Sequence, residues 1–557
     1  MRIYKSNDPD IHIPTDLNLT ELLHTSARSP PFSSDHLIAL DNLQTRSLAL
    51  GQLRSTAGRL AAGLAHSFRP PDQARWALIL PNSVTYVEAV HAVLWSGGVW
   101  CPINHQLKAG EIAHALRVSR PDFVIAYSEV VGKVDESVKI ARQKSPDWRH
   151  PKVLTAIGSP AKGYPDLYAD FLATESLPIP HYADTRKRLA SIHLSSGTTG
   201  NPKGVGISHF NYVANVYQMF AHDPDQWSPK EKVVAFTPFV HIANTTLPLF
   251  LGPWTGTAHV IMASFEIEAY AKLIQQTKAT SAQISPATAV AIATTDLVER
   301  YNFSSITRFI CIPIPLKEDM YRTFLSQGRW KTVTLYGMTE AAPYVAWKAM
   351  GDSMPASKSG TILPNILASL RLEHGEDAPE GGPGELWLKG PNLVAGYVDN
   401  PTANQVAFDG EGWYNTGDVC TISPEGHLQV VGRTKELIKY NGFQVSPTEL
   451  EAYIFSHPDI EDSAVGGVYD RTKMTELPTA YVVFKSHLTD RDQKIQALKD
   501  LQTRVDRQVS GYKKLRGGVW EVTMVPRNAT LKVLRKQLGT YKTGLCSLDN
   551  EKESAKL

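Results

Sequence analysis

The sequence of 557 residues is poor in cysteine, nearly balanced in charge and without a long apolar run. Its four cysteines form no C-x-x-C pair, which argues against a disulfide framework or structural zinc site and suits a reducing compartment. A formal net charge of +2 argues against a nucleic-acid or acidic-membrane partner. No apolar run reaches the roughly 18 residues of a membrane-spanning helix, and residues 1–10 lack a signal-peptide core. The composition is that of a globular protein, and a chain of 557 residues is too long for a single core, so we expect two or more cores.

What the sequence does contain is a loop of small and hydroxyl side chains, SSGTTGNPKGV at residues 195–205. Glycines lack a Cβ, so backbone N–H groups, hydroxyls and the Lys203 ammonium can approach a polyphosphate. An apolar segment before the loop and a helical pattern from Ser208 predict a strand–loop–helix unit. It is not a Walker loop, because Lys203 is followed by Gly204; a flexible surface loop is the alternative. The predicted nucleotide-binding residues are Ser195, Ser196, Gly197, Thr198, Thr199, Gly200 and Lys203.

A second run, YGMTE at residues 336–340, follows an apolar segment at the predicted end of a strand. Ligands bind at that end of a parallel sheet. There Tyr336, followed by Gly337, offers a flat face to adenine, and the Thr339 hydroxyl can reach the α-phosphate. Glu340 supplies the oxygen ligand that Mg²⁺ prefers to share with substrate phosphates. A buried strand end with a helix-capping threonine is the alternative.

Two more runs contain single polar groups beside tight turns or apolar segments. In WYNTGD, residues 413–418, Asp418 follows a glycine turn and can accept hydrogen bonds from both ribose hydroxyls. An Asx turn is the alternative there. In PFVHI, residues 238–242, His241 stands beside an apolar run, where a histidine more often serves in the core or as a cap.

Apolar runs alternate with segments of helical spacing over much of the chain, which is typical of parallel, doubly wound α/β structure. From about Ala368 short strands with Gly/Pro turns predict a β-subdomain, and after Gly432 the pattern becomes α+β. The fold class is therefore α/β, with a large N-terminal domain of doubly wound sheets plus β-subdomain (1–432) and a small α+β C-terminal domain (433–557). Predicted strands before residue 368 span 75–81, 99–104, 123–128, 233–239, 258–264, 281–286, 307–313 and 333–337.

Taken in order, these runs resemble the signatures of the adenylate-forming superfamily, which includes acyl-CoA synthetases, 4-coumarate–CoA ligases, luciferases and peptide-synthetase adenylation domains. The segments GRTKELIKYNGFQV (432–445) and PRNATLKVLRK (526–536) extend the likeness into the C-terminal part. The resemblance spans roughly residues 40–540 and leans toward the 4-coumarate–CoA ligase and luciferase branch. It implies an AMP-binding N-terminal domain and a mobile C-terminal lid with its hinge near residue 435.

The resemblance also implies roles for residues that composition and spacing do not single out. Arg433 joins the ribose site, and Lys435 is the pivot between the domains. Lys439 and Gln444 belong to the acid- and thiol-binding arrangements. His241 flanks the acyl carboxylate and the centre at which the thioester forms.

Departures from the family pattern concern the catalytic lysine and the acyl pocket. Lys532 matches the lysine that bridges carboxylate and α-phosphate, although Leu531 replaces the glycine before it; a basic surface helix is the alternative. Ile312 and Leu335 stand where the branch has glycines that border the acyl pocket. Their bulk narrows the predicted pocket and argues against a planar hydroxycinnamate, because apolar pockets discriminate by about 1–3 kcal/mol per methylene-scale change.

The predicted function is an acid–CoA ligase that uses ATP and Mg²⁺. A carboxylic acid forms acyl-AMP with release of pyrophosphate, and CoA then takes the acyl group. One alternative is an acyl-AMP enzyme that loads a carrier protein or an amine. The other is a nucleotide- or acyl-binding protein that has lost catalysis, which the three substituted glycines permit.

The tripeptide Ala555-Lys556-Leu557 is a conservative variant of the S-K-L peroxisomal address. It predicts recognition by the peroxisomal import receptor and a location in the peroxisome rather than the cytoplasm. A chance ending is the alternative.

Overall fold

The computed structural model describes residues 1–25, 32–195, 202–311, 324, 330–352, 354–355, 358–434, 436–440, 443–455, 457–527 and 533–548. The predictions for residues 196–200, Ile312, Lys435, Lys532 and the tripeptide 555–557 lie outside the described residues. In the described part of the chain, every helix is too short or too polar to cross a membrane.

The strands, numbered in chain order, alternate with helices through most of the N-terminal part. The strands are β1 (Tyr4–Lys5), β2 (Leu37–Asp41), β3 (Ser47–Ala49), β4 (Arg75–Ile79), β5 (Val99–Pro102), β6 (Phe123–Tyr127), β7 (Lys152–Ala156), β8 (Leu189–Ser195), β9 (Lys203–Ser208), β10 (Lys232–Ala235), β11 (Ala258–Ile261), β12 (Ser281–Ile284), β13 (Arg308–Cys311), β14 (Lys331–Val333), β15 (Leu335–Gly337), β16 (Tyr344–Trp347), β17 (Thr361–Ile362), β18 (Leu367–Arg371), β19 (Gly384–Lys389), β20 (Tyr414–Ile422), β21 (Leu428–Arg433), β22 (Ile438–Tyr440), β23 (Phe443–Val445), β24 (Ile460–Asp470), β25 (Thr475–Phe484), β26 (Val519–Val522) and β27 (Lys542–Cys546). The helices are α1 (Leu19–His24), α2 (Leu50–Phe68), α3 (Val84–Trp95), α4 (Ala109–Ser119), α5 (Val131–Lys144), α6 (His209–His222), α7 (Gly252–Thr255), α8 (Ile267–Thr277), α9 (Pro286–Thr294), α10 (Leu297–Arg300), α11 (Pro401–Ala407), α12 (Pro447–Phe455) and α13 (Arg491–Gln508).

Two mainly parallel sheets form the large N-terminal part, as the alternating pattern predicts. One has the strand order β7-β6-β4-β5-β8-β9 and the other β14-β13-β12-β10-β11-β2-β3. Helix α3 is buried along its whole length and packs against strands of both sheets. A helix that is buried on every side needs such a position between layers, so the α/β class is confirmed.

The phosphate-loop region differs from the predicted strand–loop–helix order. Residues Lys203–Ser208 form β9, which pairs antiparallel with β8 so that Ser195 lies opposite Lys203. Helix α6 begins only after Ser208, whose hydroxyl caps it by accepting the Asn211 N–H. The glycine-rich segment therefore connects two paired strands, because buried β-branched side chains at Val205 and Ile207 favour an extended backbone there.

The predicted strand 333–337 is divided between two sheets. Its first part, β14, ends at Val333 in the parallel sheet, and β15 begins at Leu335 in a small antiparallel sheet with β16 and β17. Thr334 lies at the break, where its carbonyl accepts the Lys348 N–H at 2.9 Å and its hydroxyl donates to the Lys358 carbonyl at 2.8 Å. These bonds to a different segment turn the chain away from β13 and toward the candidate site.

The β-subdomain is a five-stranded antiparallel sheet in the order β1-β18-β19-β20-β21. Its short first strand comes from the start of the chain, which sequence patterning does not indicate. The C-terminal part contains the β22–β23 hairpin and the four-stranded sheet β24-β25-β26-β27 around its own apolar core with α12 and α13. This confirms the small α+β domain, whereas the boundary at 432/433 stays a prediction.

Candidate active site

A buried aspartate, a tyrosine and an arginine meet where three strands converge. Tyr336 of β15 donates its hydroxyl to Asp418 Oδ2 at 2.7 Å, and Arg433 Nε lies 2.9 Å from Asp418 Oδ1. Asp418 and Arg433 are opposite each other in the β20–β21 ladder. The pKa of Tyr336 is held well above its ordinary range by burial first and by Asp418 second, so its hydroxyl stays a donor. The three residues thus form a preorganised charged cluster suited to polar ligand groups.

Two glycines make the backbone turns that shape this cluster. A Cβ on Gly337 would lie 2.3 Å from the Pro343 carbonyl oxygen, so the turn after Tyr336 has no room for a side chain. Gly417 has a φ of +69°, a conformation that favours glycine. The Asx turn that the sequence left as an alternative is present, but Asn415 forms it by accepting the Gly417 N–H at 2.8 Å.

A second cluster surrounds Glu340, which lies in a single 3₁₀ turn, Thr339–Ala341, directly after β15. Its Oε1 accepts the Tyr397 hydroxyl at 2.9 Å, and the Lys203 ammonium lies 4.7 Å above the Tyr397 ring. Burial raises the pKa of Glu340, while the Tyr397 hydrogen bond, Lys203 and Arg433 act in the opposite direction. The carboxylate of Glu340 is therefore held next to two cations.

Tyr397 is the functional candidate that sequence reasoning missed. It is 57 positions from Glu340 in the chain and belongs to no run with a recognisable spacing. An isolated backbone bridge to Val205 of β9 places Tyr397 beside the phosphate-loop strands. Only pairing between the β-subdomain side and the large domain brings it to Glu340, so no local signal could have found it.

His241 lies on a turn after β10, near the ends of the parallel strands. Its Nδ1 accepts the Ala243 N–H at 3.3 Å, and burial lowers the pKa of the imidazole. Tyr344 of β16 donates its hydroxyl to the Ala243 carbonyl at 2.6 Å. Because β16 is paired with β15, Tyr344 connects the segment that carries His241 to the strand that carries Tyr336.

The remaining predicted residues fall into two groups. Leu335 is almost completely buried and lies opposite Trp347 in the β15–β16 ladder, which fits a wall position. Lys439 and Gln444 are opposite each other in the β22–β23 hairpin of the C-terminal part. The Lys439 N–H donates to Glu476 Oε2 at 2.8 Å. This hydrogen bond joins two residues of the C-terminal part.

Arg535 anchors the described residues that follow position 532. Its Nε lies 3.3 Å from Glu436 Oε2, its guanidinium pairs with Glu451, and it donates to the Val465 carbonyl at 2.7 Å. Glu436 directly follows the predicted pivot at residue 435 in the chain. The arginine therefore ties the segment after residue 532 to the residues that follow the pivot.

Comparison with known proteins identifies the family. The model of the family described as AMP-binding enzyme matches residues 25–398, and that of the AMP-binding enzyme C-terminal domain matches residues 449–532. A probable 4-coumarate–CoA ligase 1 of Dictyostelium discoideum is 30% identical over 556 residues, covering 97% of each chain. The 4-coumarate–CoA ligase of Pinus taeda is 29% identical, covering 96% of this chain and 97% of that protein.

Solved structures share the fold. ATP-bound MatB from Rhodopseudomonas palustris has a TM-score of 0.80 at 24% identity, over 95% of this chain and 99% of that chain. O-succinylbenzoate coenzyme A synthetase from Bacillus subtilis, with ATP and magnesium ion, has a TM-score of 0.76 at 22% identity, over 94% and 98%. With the family model matching well over half of the residues, the chain belongs to the AMP-binding enzyme family.

Proposed function

We propose that the protein is an ATP-dependent, AMP-forming acid–CoA ligase. In the first step a carboxylate oxygen bonds to the α-phosphorus of ATP, and the bond to pyrophosphate breaks. In the second step the CoA thiolate bonds to the acyl carbon, the bond to AMP breaks, and AMP leaves with the electron pair. The observation that carries the proposal is the convergence of the Asp418 and Glu340 clusters in a chain that aligns with CoA ligases over nearly its full length.

The two clusters divide the nucleotide between them. Asp418, fixed by Tyr336 and Arg433, takes the ribose hydroxyls, and the phosphate loop with Lys203 takes the β- and γ-phosphates. The family uses Mg²⁺ with ATP, and the donor set fits it, because Glu340 presents a buried carboxylate oxygen beside the phosphate lysine. When bound, Mg²⁺ neutralises phosphate charge. Preorganised cations at a dry site are the main catalytic need of such a reaction, since all reacting oxygens carry negative charge.

His241 and Thr339 are the residues that we assign to the acid and to the α-phosphate. Thr339 precedes Glu340 in the same turn and is half-buried, and we assign its hydroxyl to an α-phosphate oxygen. Burial lowers the pKa of His241 and favours the neutral imidazole. Because its Nδ1 accepts the Ala243 N–H, its Nε2–H is left to donate a hydrogen bond to the carboxylate without adding charge. Lys532 supplies the cation that bridges carboxylate and α-phosphate.

The acid itself is compact. The relatives named above act on 4-coumarate and O-succinylbenzoate by their names, but this chain carries Leu335 at the wall of the site. Tyr344, which is fully buried, reaches from β16 to the turn of His241 and occupies the space between them. By the resemblance to the family, Ile312 stands where a glycine borders the acyl pocket, so its bulk should narrow the same pocket. A short or branched acid suits these walls better than an extended planar one.

The two steps use different faces of the C-terminal domain. Lys532 and the Lys439–Gln444 hairpin belong to the same small domain, and one site can hardly hold both at once. The domain therefore rotates about Lys435 between the steps. Lys532→Ala should abolish acyl-AMP formation but still convert supplied acyl-AMP and CoA into thioester. Equal loss of both half-reactions in Lys532→Ala would contradict the rotation.

The decisive experiment is a panel of carboxylic acids tested for AMP production with and without CoA. CoA-dependent AMP production supports the proposal. Acid-dependent pyrophosphate release without a response to CoA would instead favour transfer to a carrier protein or an amine. No pyrophosphate release with any acid would favour a binding protein without catalysis. Lys203→Ala should raise the KM for ATP without changing the preferred acid, and an unchanged KM would remove Lys203 from the phosphate site.

We also propose that the protein is imported into the peroxisome through recognition of Ala555-Lys556-Leu557 by the import receptor. The support is the sequence of the tripeptide and the polar residues before it. A fluorescent fusion that ends at Leu557 should be punctate and coincide with a peroxisomal marker, and deletion of the tripeptide should make it diffuse. Diffuse fluorescence from the intact fusion would refute the proposal.

A further inference from the structure

A ring of buried amides closes the turn of residues 237–244, which we call the His241 turn. Gln283 of β12 and Asn244 at the end of the turn are both completely buried. Gln283 Oε1 accepts the backbone N–H groups of Phe236 and Thr237, each at 3.0 Å. Gln283 Nε2 donates to Asn244 Oδ1 at 2.5 Å, and Asn244 Nδ2 donates to the Thr237 carbonyl at 2.5 Å. One side chain thus holds both ends of the turn.

The direction of every bond in this ring is fixed by the backbone. A backbone N–H can only donate, so Gln283 must present its oxygen to Phe236 and Thr237 and its amino group to Asn244. Asn244 must then present its own oxygen to Gln283 and its amino group to the Thr237 carbonyl. A buried network of this kind is stable only when each of its donors and acceptors has a hydrogen-bond partner.

A third amide connects the turn to the other large sheet. Asn82, between β4 and α3, accepts the Phe239 N–H at 2.8 Å and donates to the Thr237 carbonyl at 3.0 Å. The histidine itself is held by its backbone, because the His241 N–H donates to the Pro238 carbonyl at 3.0 Å and its carbonyl accepts the Asn244 N–H at 2.9 Å. The position of the imidazole therefore depends on the amides at the two ends of the turn.

We propose that Gln283 is a positioning residue, whose buried amide fixes the turn that presents His241 to the acid. The proposal rests on the proposed function in that it takes His241 as the neighbour of the acyl carboxylate. Gln283 lies in β12, remote in sequence from every run that resembles a family signature, and it acts on the acid side of the site. The nucleotide clusters around Asp418 and Glu340 do not include it.

The test compares Gln283→Glu and Gln283→Met with the same changes at Gln218. Glutamate keeps the acceptor for the two N–H groups but turns an oxygen toward Asn244 Oδ1, and methionine removes all three bonds. Gln218 of α6 is an equally buried amide that donates to the Pro364 carbonyl at 2.8 Å and otherwise contacts two side-chain amides, so that none of its described hydrogen bonds goes to a residue of the His241 turn. It controls for the general cost of losing a buried amide.

Both Gln283 variants should raise the KM for the acid at least about fivefold, which is the size expected for one or more lost hydrogen bonds. The KM for ATP should change less than about twofold, since none of the ring's described hydrogen bonds goes to the Asp418 or Glu340 cluster. The Gln218 variants should lower the melting temperature to a similar extent, but without raising the KM for the acid more than the KM for ATP. Equal changes in the KM values for acid and ATP in the Gln283 variants would overturn the proposal. A selective rise in the KM for the acid in the Gln218 variants would overturn it as well.

Amide hydrogen exchange supplies a readout that needs no turnover. The amides of His241, Asn244 and Thr245 should exchange faster in Gln283→Met than in the wild type or in Gln218→Met, because the turn opens locally. Unchanged exchange in this segment would overturn the positioning role even if the enzyme is active. Faster exchange in a protein that fails to activate any acid would instead retain the structural role and refute the proposed function.

Discussion

Removal of the Tyr397 hydroxyl should weaken the candidate metal ligand without moving the phosphate lysine. In Tyr397→Phe, Glu340 Oε1 loses the donor that lies 2.9 Å away, while the ring under the Lys203 ammonium is retained. Hydrogen bonds to charged groups contribute about 1.5–3 kcal/mol. We expect a loss in unfolding free energy at the lower end of this range at neutral pH, because Lys203 still lies near the carboxylate.

The sign of the pH dependence follows from the pKa of Glu340. Burial raises it above its value in the unfolded chain, so this group contributes stability below the unfolded pKa and loses that contribution as pH rises through the folded pKa. Tyr397 opposes the shift, and its removal raises the pKa of Glu340 further. Tyr397→Phe should therefore be most destabilised at neutral pH and approach the wild type at acidic pH, where Glu340 is protonated in both proteins.

Activity should show the same dependence through the metal requirement. A protonated Glu340 is a poor ligand for Mg²⁺. As the pH is lowered, the Mg²⁺ concentration for half-maximal activity should therefore begin to rise at a higher pH in Tyr397→Phe than in the wild type. Tyr414→Phe is the matched control, since its hydroxyl lies 3.4 Å from that of Tyr397 and is one step removed from Glu340. Urea unfolding and Mg²⁺ titrations across pH measure both effects. If stability and Mg²⁺ requirement depended on acidic pH in the same way in Tyr397→Phe and Tyr414→Phe, the reasoning would be refuted.

Three further substitutions test other parts of the site. Tyr336→Phe removes a 2.7 Å bond to buried Asp418 and should raise the KM for ATP about tenfold, from about 1.4 kcal/mol, with little change for the acid; an unchanged KM for ATP would place the ribose elsewhere. Leu335→Gly should extend the accepted acids toward bulkier ones in a competition assay, and an identical acid profile would show that other walls set specificity. Gly337→Ala places a Cβ against the Pro343 carbonyl oxygen and should lower kcat or thermal stability sharply, so that a variant with normal values of both would contradict the tight turn.

Local sequence signals were sufficient for the parts of the molecule whose pattern is set by near neighbours. Periodicity identified the parallel α/β sheets, since each strand and helix there buries a continuous apolar face. The runs around Lys203, Glu340 and Asp418 predicted a nucleotide site, because close approach to phosphates and sugars requires small residues, hydroxyls and charges at short spacing. The change of texture after Gly432 likewise marked the α+β domain.

Tertiary structure decided the contacts between distant segments. Tyr397 reaches Glu340 only because the β-subdomain lies against β9, and Gln283 reaches the His241 turn only because β12 is the neighbour of β10. The break at Thr334 depends on bonds to the segments of Lys348 and Lys358. Periodicity reports the face on which a side chain lies but not the partner across a sheet, so these polar contacts carried no signal in the sequence. The sequence by itself determined the fold class and predicted the nucleotide-binding residues, and the tertiary structure determined which buried amides and hydroxyls contact the residues of the candidate site.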